Sequence, residues 1–226
     1  DRPHAAFRPR PAGGDKDTEL LTRLGIPTDV PLLITATSYT PDEDLEGLAT
    51  ALKAYARPRS GDSAAATNPP LALIVTGKGP TRARVEPILT QLPAQTNGVV
   101  RSVHLLFLPH ADYASLLASC DVGLSMFGAG LPVLAHDFAC AAELVVDHEN
   151  GLLFRSHEEM AARLADLLRD GGKLTTELRA GVARVEAERG GWQASWDANV
   201  RPVVLEQIKA KRSLLVERAW WWTLFA

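Results

Sequence analysis

The residues best suited to chemistry lie in the stretch 71–80, LALIVTGKGP. An apolar run ends there in Gly77, Lys78 and Gly79, and a helix is predicted to start soon afterwards. Glycines let a backbone approach a ligand closely, a lysine supplies positive charge, and the start of a helix offers free N–H groups. The combination predicts a phosphate-binding turn. It matches neither GxGxxG nor GxxxxGK[ST], so a plain strand-to-helix turn stays open as an alternative.

A second polar stretch, TSYTPDED at 37–44, follows another apolar run. Thr40 has the side chain of a helix N-cap, Pro41 fits the first helical position, and three acids fall in the first turn, where they favour the helix dipole. We expect Thr40 to cap this helix and the acids to stabilise it rather than to act as general bases. Ser38 and Thr40 could serve as cap residues, as ligand contacts, or as both. We name no catalytic residue.

Apolar runs alternate with amphipathic segments along the chain. The predicted strands are 32–36, 71–75, 103–108, 121–125, 131–135 and 151–154, and the predicted helices lie near 18–24, 41–55, 81–92, 112–118, 157–169, 173–189 and 192–211. Strands that alternate with helices and are almost continuously apolar indicate a parallel sheet with helices on both faces. The predicted class is therefore α/β, with a Rossmann-like parallel sheet whose ligands bind beyond the carboxyl ends of the strands.

Composition narrows the classes of function. The chain has 226 residues, 46% of them hydrophobic, and a formal charge of −3, which gives no reason to expect nucleic acid as a partner. Cys120 and Cys140 stand in apolar surroundings and are expected to be buried free thiols. The six histidines are scattered and neither CxxC nor HExxH occurs, so no metal site is expected. No apolar run reaches the roughly 20 residues that span a bilayer.

The chain divides into three predicted parts. Residues 1–17 are rich in Pro, Arg and Gly, as linkers are, and their first residues read as the middle of a longer protein. Residues 18–211 form the predicted domain, and 212–226 form a tryptophan-rich tail. Three adjacent tryptophans cannot all face one side of a helix. Packing against a preceding domain, an interfacial membrane contact and a read-through end stay open for this tail.

One connection is too short for the predicted topology. A right-handed parallel crossover needs about a dozen residues or more. After Ser125 the chain reads Met126-Phe127-Gly128-Ala129-Gly130 and enters the next strand at once. Either the fourth and fifth strands are not joined as parallel neighbours, or a helix is missing between them.

Five stretches resemble, in order, the donor-binding half of chitobiosyldiphosphodolichol β-mannosyltransferase, a glycosyltransferase family with the GT-B fold. They are TSYTPDED at 37–44, VTGKGP at 75–80, LPHADYASLLASCDVGLS at 108–125, FGAGLPVLAHDFAC at 127–140 and ELVVDHENGLLF at 143–154. The resemblance extends over roughly residues 1–170. It implies that this chain is the C-terminal domain of a GT-B glycosyltransferase.

The resemblance also implies an activity. Family members transfer mannose from GDP-mannose to dolichol-diphosphate-linked chitobiose, forming a β-1,4 bond with inversion at the cytosolic face of the endoplasmic reticulum, in the synthesis of N-glycan precursors. The family uses no cofactor, and GT-B enzymes do not generally need a bound metal. Their acceptor and membrane contacts belong to an N-terminal domain that is absent from these residues. Other glycosyltransferases of the pathway could be further partners.

The resemblance assigns eight donor-binding residues, which are Thr37, Ser38, Thr40, Gly77, Lys78, Gly79, Leu108 and Glu143. Lys78 is implied as the ligand of the donor diphosphate, where a cation offsets the charge that builds on departing GDP. Leu108 matches a segment that binds the base through backbone atoms, and Glu143 matches a segment near the cleft. Tyr39 stands where the family usually has Trp.

The sequence departs from the family between Ser125 and Met126. The family has a longer segment there, with a glycine-rich turn and a carboxylate suited to ribose hydroxyls. The short connection falls at the same place, so both observations indicate that about one loop and one helix are deleted. We expect weaker donor binding and an isolated chain that is inactive. Two rivals stay open: a degenerate, non-catalytic module that binds a nucleotide sugar or a partner, and a GT-B transferase that uses another nucleotide sugar.

Overall fold

The computed structural model describes residues 15–58, 67–127, 129–189, 194–209 and 211. The chain divides into two compact units, with the boundary between Ala183 and Arg184. The first unit contains the sheet. The second contains helix over 194–209, including a π-helical segment, Trp196–Val200, where a helix is predicted. The predicted tail and all but 15–17 of the predicted linker lie outside the described residues.

Six parallel strands form one sheet. They are β1 (Leu32–Thr37), β2 (Leu71–Gly77), β3 (Val100–Leu105), β4 (Val122–Leu124), β5 (Val133–His136) and β6 (Gly151–Phe154). Their spatial order is β3-β2-β1-β4-β5-β6, and every paired neighbour is parallel. The chain order reverses between β1 and β4, which is the kind of switch point where such sheets bind ligands. The predicted Rossmann-like fold is confirmed.

Helices cover both faces of the sheet. They are α1 (Thr18–Arg23), α2 (Leu45–Tyr55), α3 (Arg82–Thr90), α4 (Leu92–Gln95), α5 (His110–Ser119), α6 (Ala141–Leu144), α7 (His157–Leu168) and α8 (Lys173–Arg189). Successive strand side chains point to opposite faces. Leu33 accordingly packs in the core that α2 and α7 share, whereas Ile34 packs in the core under α1 and α5.

Strand β2 lies between β1 and β3 and ends in the glycine–lysine turn. All seven of its residues are buried, which explains its unbroken apolar sequence. It pairs with β1 from Leu32 opposite Ala72 to Thr37 opposite Gly77, so the two strands end side by side. The turns that follow them must therefore lie next to each other.

The prediction that Thr40 caps α2 is wrong. The helix begins at Leu45, and the Asp44 carboxylate caps it by accepting a hydrogen bond of 2.8 Å from the Gly47 N–H. Residues 40–43 form a separate turn, closed by a bond of 3.2 Å from the Glu43 N–H to the Thr40 carbonyl oxygen. Because the turn occupies residues 40–43, Asp44, the first residue after it, becomes the cap.

The third strand was predicted three residues too late. Strand β3 spans Val100–Leu105 and lies at the edge of the sheet, where polar side chains such as Arg101 and Ser102 are tolerated. Because of these polar residues, the sequence of the strand is not a continuous apolar run. Residues 106–109 are instead the loop that leads into α5, so Leu108 lies in that loop and not at a strand end.

The short connection joins parallel neighbours after all. Strands β4 and β5 pair directly, with Gly123 opposite Val133, and only residues 125–132 connect them. The alternative that these strands are not parallel neighbours is wrong. No helix forms in the connection, which the structure describes except at Gly128. Met126 and Leu131 pack against the core under α1 and α5 in place of a helix, and a Cβ at Gly123 would lie 2.7 Å from the Cβ of Met126.

One of the two cysteines differs from the prediction. Cys120 is buried and Cys140 is exposed. Cys140 precedes α6 in the segment after β5, beside Phe138, whose side chain is 72% exposed. The apolar residues around Cys140 therefore line a cavity instead of packing in the core.

Candidate functional site

A cavity of about 530 Å³ lies beyond the carboxyl ends of β1, β2 and β3. Its wall contains three predicted residues from different elements: Ser38 follows β1, Gly77 ends β2, and Leu108 precedes α5. Thr37 also lines the cavity. The structure thus brings together three sequence stretches that are 30 or more residues apart.

The turn after β1 is built around the carboxylate of Glu43. One oxygen, Oε2, accepts hydrogen bonds from the Thr37 hydroxyl and from the Thr40 N–H, the latter at 3.2 Å. The other, Oε1, accepts the Ser38 N–H at 3.1 Å and the Ser38 hydroxyl at 3.2 Å. Sequence reasoning missed this role, although Thr40 and Glu43 have the S/T-x-x-E spacing in which a glutamate reaches back to a backbone N–H.

These bonds set the charge of Glu43. Desolvation by burial pushes the pKa of Glu43 upward, but the hydrogen bonds from Thr37, Ser38 and Thr40 outweigh it. The pKa of Glu43 therefore lies below its ordinary value, and the side chain is ionised at neutral pH. A fixed negative charge thus stands in the cavity wall.

Two glycines bring the turn after β2 against the turn after β1. A Cβ at Gly77, where φ is +125°, would lie 1.9 Å from the Thr37 carbonyl oxygen, and a Cβ at Gly79 would lie 1.6 Å from the Ser38 carbonyl oxygen. Thr81 adds two bonds to the Tyr39 carbonyl oxygen, of 3.0 Å from its N–H and 2.6 Å from its hydroxyl. The glycines therefore have a packing reason that holds with or without a phosphate.

Lys78 lies between these glycines, next to Gly77 of the cavity wall, and does not itself line the cavity. Its side chain is exposed, and its Nζ lies 5.3 Å from the centroid of the Phe107 ring, which is in the cavity wall. A second cation, Arg82, forms an ion pair with Glu86 and lies over the Tyr39 ring. Because Arg82 already has a carboxylate partner, Lys78 is the better candidate for binding an anion here.

The first turn of α5 closes the other side of the same cavity. His110 and Tyr113 line it. Burial raises the pKa of Tyr113, against a smaller opposing effect of its hydrogen bond with Thr76. Tyr113 is therefore neutral at physiological pH and offers a hydroxyl group at the cavity wall.

A larger cavity of about 980 Å³ opens beyond β4, β5 and β6. Its wall is rich in aromatic residues, with Phe127, Phe138 and Phe154 among them, and His136 contacts the Phe154 ring edge-on at 5.5 Å between centroids. Thr37 and Glu43 line both cavities. The turn after β1 is thus the wall that the two cavities share.

The helix starts of α2 and α7 meet at the edge of the larger cavity. The His157 Nε2 atom lies 2.9 Å from the Asp44 carboxylate. The hydrogen bond from the Gly47 N–H has the largest effect on Asp44 and lowers its pKa. Burial raises the pKa less strongly and His157 lowers it, so the pKa of Asp44 lies below its ordinary value. A Cβ at Gly47 would lie 2.1 Å from both partners, so only glycine leaves room for this pair.

Of the eight predicted site residues, Thr37, Ser38, Gly77 and Leu108 line the smaller cavity, and Thr40, Lys78 and Gly79 line neither cavity, although all seven belong to the two turns and the loop before α5. Glu143 does not: it is exposed on the short helix α6, where its neighbour Leu144 lines the larger cavity. The assignment of Glu143 as a donor contact stays a prediction.

Within 15–58, 67–127, 129–189, 194–209 and 211, no group of three or more His, Cys, Asp or Glu side chains is arranged to hold a metal ion. In the same part of the chain, no helix combines the length and apolar character needed to cross a membrane.

Comparison with curated proteins gives relatives over most of the chain. A protein from Eremothecium gossypii is 34% identical over 224 residues, which cover 87% of this chain and 45% of the relative. A human protein is 33% identical over 223 residues, covering 89% and 44%. Both are named chitobiosyldiphosphodolichol beta-mannosyltransferase. The chain is a homologue of these mannosyltransferases. No family model matches it.

The mannosyltransferase relatives are longer than this chain, which spans about half of their length. Solved structures agree on the fold. Anabaena HepE in complex with UDP has a TM-score of 0.62 at 17% identity, covering 92% of this chain and 55% of that one. The C-terminal domain of LpcC, a group 1 glycosyl transferase from Francisella tularensis, has a TM-score of 0.57 at 16% identity, covering 83% and 97%. The fold is that of GT-B glycosyltransferases.

Proposed function

We propose that this chain is the donor-binding part of a mannosyltransferase that uses GDP-mannose. The acceptor is dolichol-diphosphate-linked chitobiose, and the reaction forms a β-1,4 bond with inversion of the anomeric centre. The names of the curated relatives support the mannosyl transfer and the lipid-linked acceptor. The donor, the linkage and the stereochemistry rest on the sequence resemblance.

The observation that carries the proposal is the position of Lys78. Its ammonium group lies 5.3 Å from the ring centroid of Phe107, which lines the cavity where Ser38, Gly77 and Leu108 meet. A cation beyond the carboxyl ends of parallel strands suits a nucleoside diphosphate, and it stabilises the negative charge that develops when GDP leaves. The base then lies against the loop around Leu108, bound by backbone atoms.

The remaining predicted residues take supporting parts. Thr37 and Ser38 form the wall on the other side of the diphosphate, and Thr40 holds that wall through Glu43. Gly77 and Gly79 let the lysine turn lie against it. Glu143 contacts the donor from the side of the larger cavity.

The proposal assigns the acceptor site and the membrane contact to an N-terminal domain that these residues do not include. The working enzyme then acts at the cytosolic face of the endoplasmic reticulum membrane, where other glycosyltransferases of the same pathway could be its partners. The isolated chain should give no mannosyl product with GDP-mannose and lipid-linked chitobiose. Clear product in that assay would overturn the assignment of the acceptor site.

A second candidate is a degenerate module that binds a nucleotide sugar or a partner without catalysis. The short connection 125–132 favours it, because the family's longer segment there would supply a glycine-rich turn and a carboxylate for the ribose. Calorimetric titration of the 226-residue chain with GDP and with UDP separates the candidates. Micromolar binding of GDP in preference to UDP supports the donor site; tighter binding of UDP points to another nucleotide sugar; and no binding of either contradicts a donor site.

A further inference from the structure

We infer that Glu43 is a positioning residue of the donor site: its carboxylate fixes the turn Thr37–Thr40 in the shape against which the Lys78 turn packs. This inference rests on the proposed donor site and adds a residue that the family resemblance does not assign. Glu43 lies in the wall that the two cavities share.

The carboxylate has no capacity left for a ligand. An ionised carboxylate offers about four lone-pair positions. Four donors occupy them here, namely the Thr37 hydroxyl, the Ser38 N–H and hydroxyl, and the Thr40 N–H. Glu43 therefore organises its own turn and does not bind a sugar hydroxyl directly.

The same bonds decide what the turn can offer to a diphosphate. The Ser38 and Thr40 N–H groups point to Glu43, and the third N–H of the turn, from Tyr39, donates to the Thr37 hydroxyl oxygen at 2.9 Å. All three amides are thus used internally. The turn serves as a rigid wall, and Lys78 supplies the charge.

The shape of the turn reaches Lys78 through backbone contacts. The carbonyl oxygens of Thr37 and Ser38 lie against Gly77 and Gly79, one on each side of Lys78, and that of Tyr39 accepts both bonds from Thr81. Both flanks of the lysine turn therefore rest on carbonyls of the Glu43 turn. A change in the turn that moves these carbonyls must move Lys78 with them.

Glu43→Gln tests the inference, because it keeps the size of the side chain but replaces two acceptor positions by an NH₂ group that cannot accept. Glu46→Gln removes the same charge three residues along the chain, from an exposed residue paired with Arg84, and serves as the matched control. Glu43→Asp keeps the charge and the four acceptor positions on a shorter side chain. The readouts are GDP affinity by calorimetry, hydrogen exchange of the Ser38 and Thr40 amides, and the thermal midpoint, all on the 226-residue chain.

We expect Glu43→Gln to bind GDP about tenfold more weakly, as the loss of one or two hydrogen bonds would give. Its Ser38 and Thr40 amides should exchange faster while those of β2 stay protected. Glu43→Asp should recover part of both properties, and Glu46→Gln should match the wild type. A global loss of exchange protection in Glu43→Gln would show a merely structural role and would overturn the inference.

The remaining outcomes separate this inference from the proposed function. Unchanged or tighter GDP binding by Glu43→Gln, with wild-type binding intact, overturns the inference and leaves the donor site standing; tighter binding would mean that the freed amides are phosphate ligands. No GDP binding by the wild type overturns the proposed function and the donor role of Glu43 with it. In that case the amide exchange still decides whether Glu43 holds the turn.

Discussion

The Ser38 carbonyl oxygen lies so close to Gly79 that a Cβ there would be 1.6 Å from it. No other residue can occupy position 79 without separating the turns after β1 and β2. This close approach gives the glycine–lysine turn a structural reason, and it places Lys78 relative to Ser38 without any ligand. The proposed phosphate site therefore uses a geometry that the apposed backbones already impose.

Gly79→Ala should destabilise the domain strongly. The methyl group meets backbone and not a movable side chain, so we expect the free energy of unfolding to fall by about 3 kcal/mol, the upper part of the range for overpacking. Urea unfolding measures this change. Gly171→Ala is the control, since Gly171 has φ +69° with open space around it. That variant should lose only about 1 kcal/mol through backbone strain. Equal losses in the two variants would contradict the close approach of the two turns.

Asp44 should stabilise α2 in a way that depends on pH. Asp44→Ala removes the N-cap and should lower the free energy of unfolding by about 1 kcal/mol at neutral pH. Because the pKa of Asp44 is lowered on folding from 3.8, its contribution is complete above that value and is lost as the pH falls through the folded-state pKa. The difference between wild type and variant should thus shrink in acid. Urea unfolding at several pH values checks this, and a difference that grows on acidification would refute it.

Leu131 should take the place of a missing helix as the cover of the sheet near β4. It is 2% exposed, so Leu131→Ala should cost about 2–5 kcal/mol of unfolding free energy. Phe127 lies in the same short connection but is 41% exposed, and Phe127→Ala should cost less than about 1 kcal/mol. Chemical denaturation of both variants tests the contrast. Similar costs would mean that the connection does not pack as described.

The two cysteines should differ in reactivity toward a thiol reagent. Cys140 is exposed and should be modified at once in the native protein, whereas Cys120 is buried and should react only after unfolding. Quantifying the released chromophore before and after addition of denaturant distinguishes them. Cys140→Ser should abolish the fast reaction. A fast reaction that survives in this variant would show that Cys120 is accessible.

Sequence reasoning predicted the fold class because buried strands of a parallel sheet have continuous apolar sequence. It located β6 and α7 closely. It misplaced β3 because an edge strand carries polar residues. A single sequence shows which residues alternate, but not which strand lies at the edge.

The candidate site was predictable only in part. The apolar runs and glycines indicated that the turns after β1 and β2 lie at one edge of the sheet, and the family resemblance added Leu108; Ser38, Gly77 and Leu108 line one cavity. The role of Glu43 was not found, because its four bonds depend on how the turn folds back after Thr37, and its acid neighbours made it look like a helix-dipole residue. Three-dimensional contacts were needed to separate Asp44, which caps a helix, from Glu43, which organises a turn.

The central claim is that Lys78 binds the diphosphate of a guanosine nucleotide. Calorimetric titration with GDP on the wild-type chain, on Lys78→Ala and on Lys173→Ala tests it most directly, with Lys173 as an exposed lysine on α8 whose removal takes away the same charge. Removing one charge-assisted hydrogen bond should weaken GDP binding by about tenfold or more in Lys78→Ala, with no change in Lys173→Ala. GDP affinity that is the same in all three proteins would contradict the account.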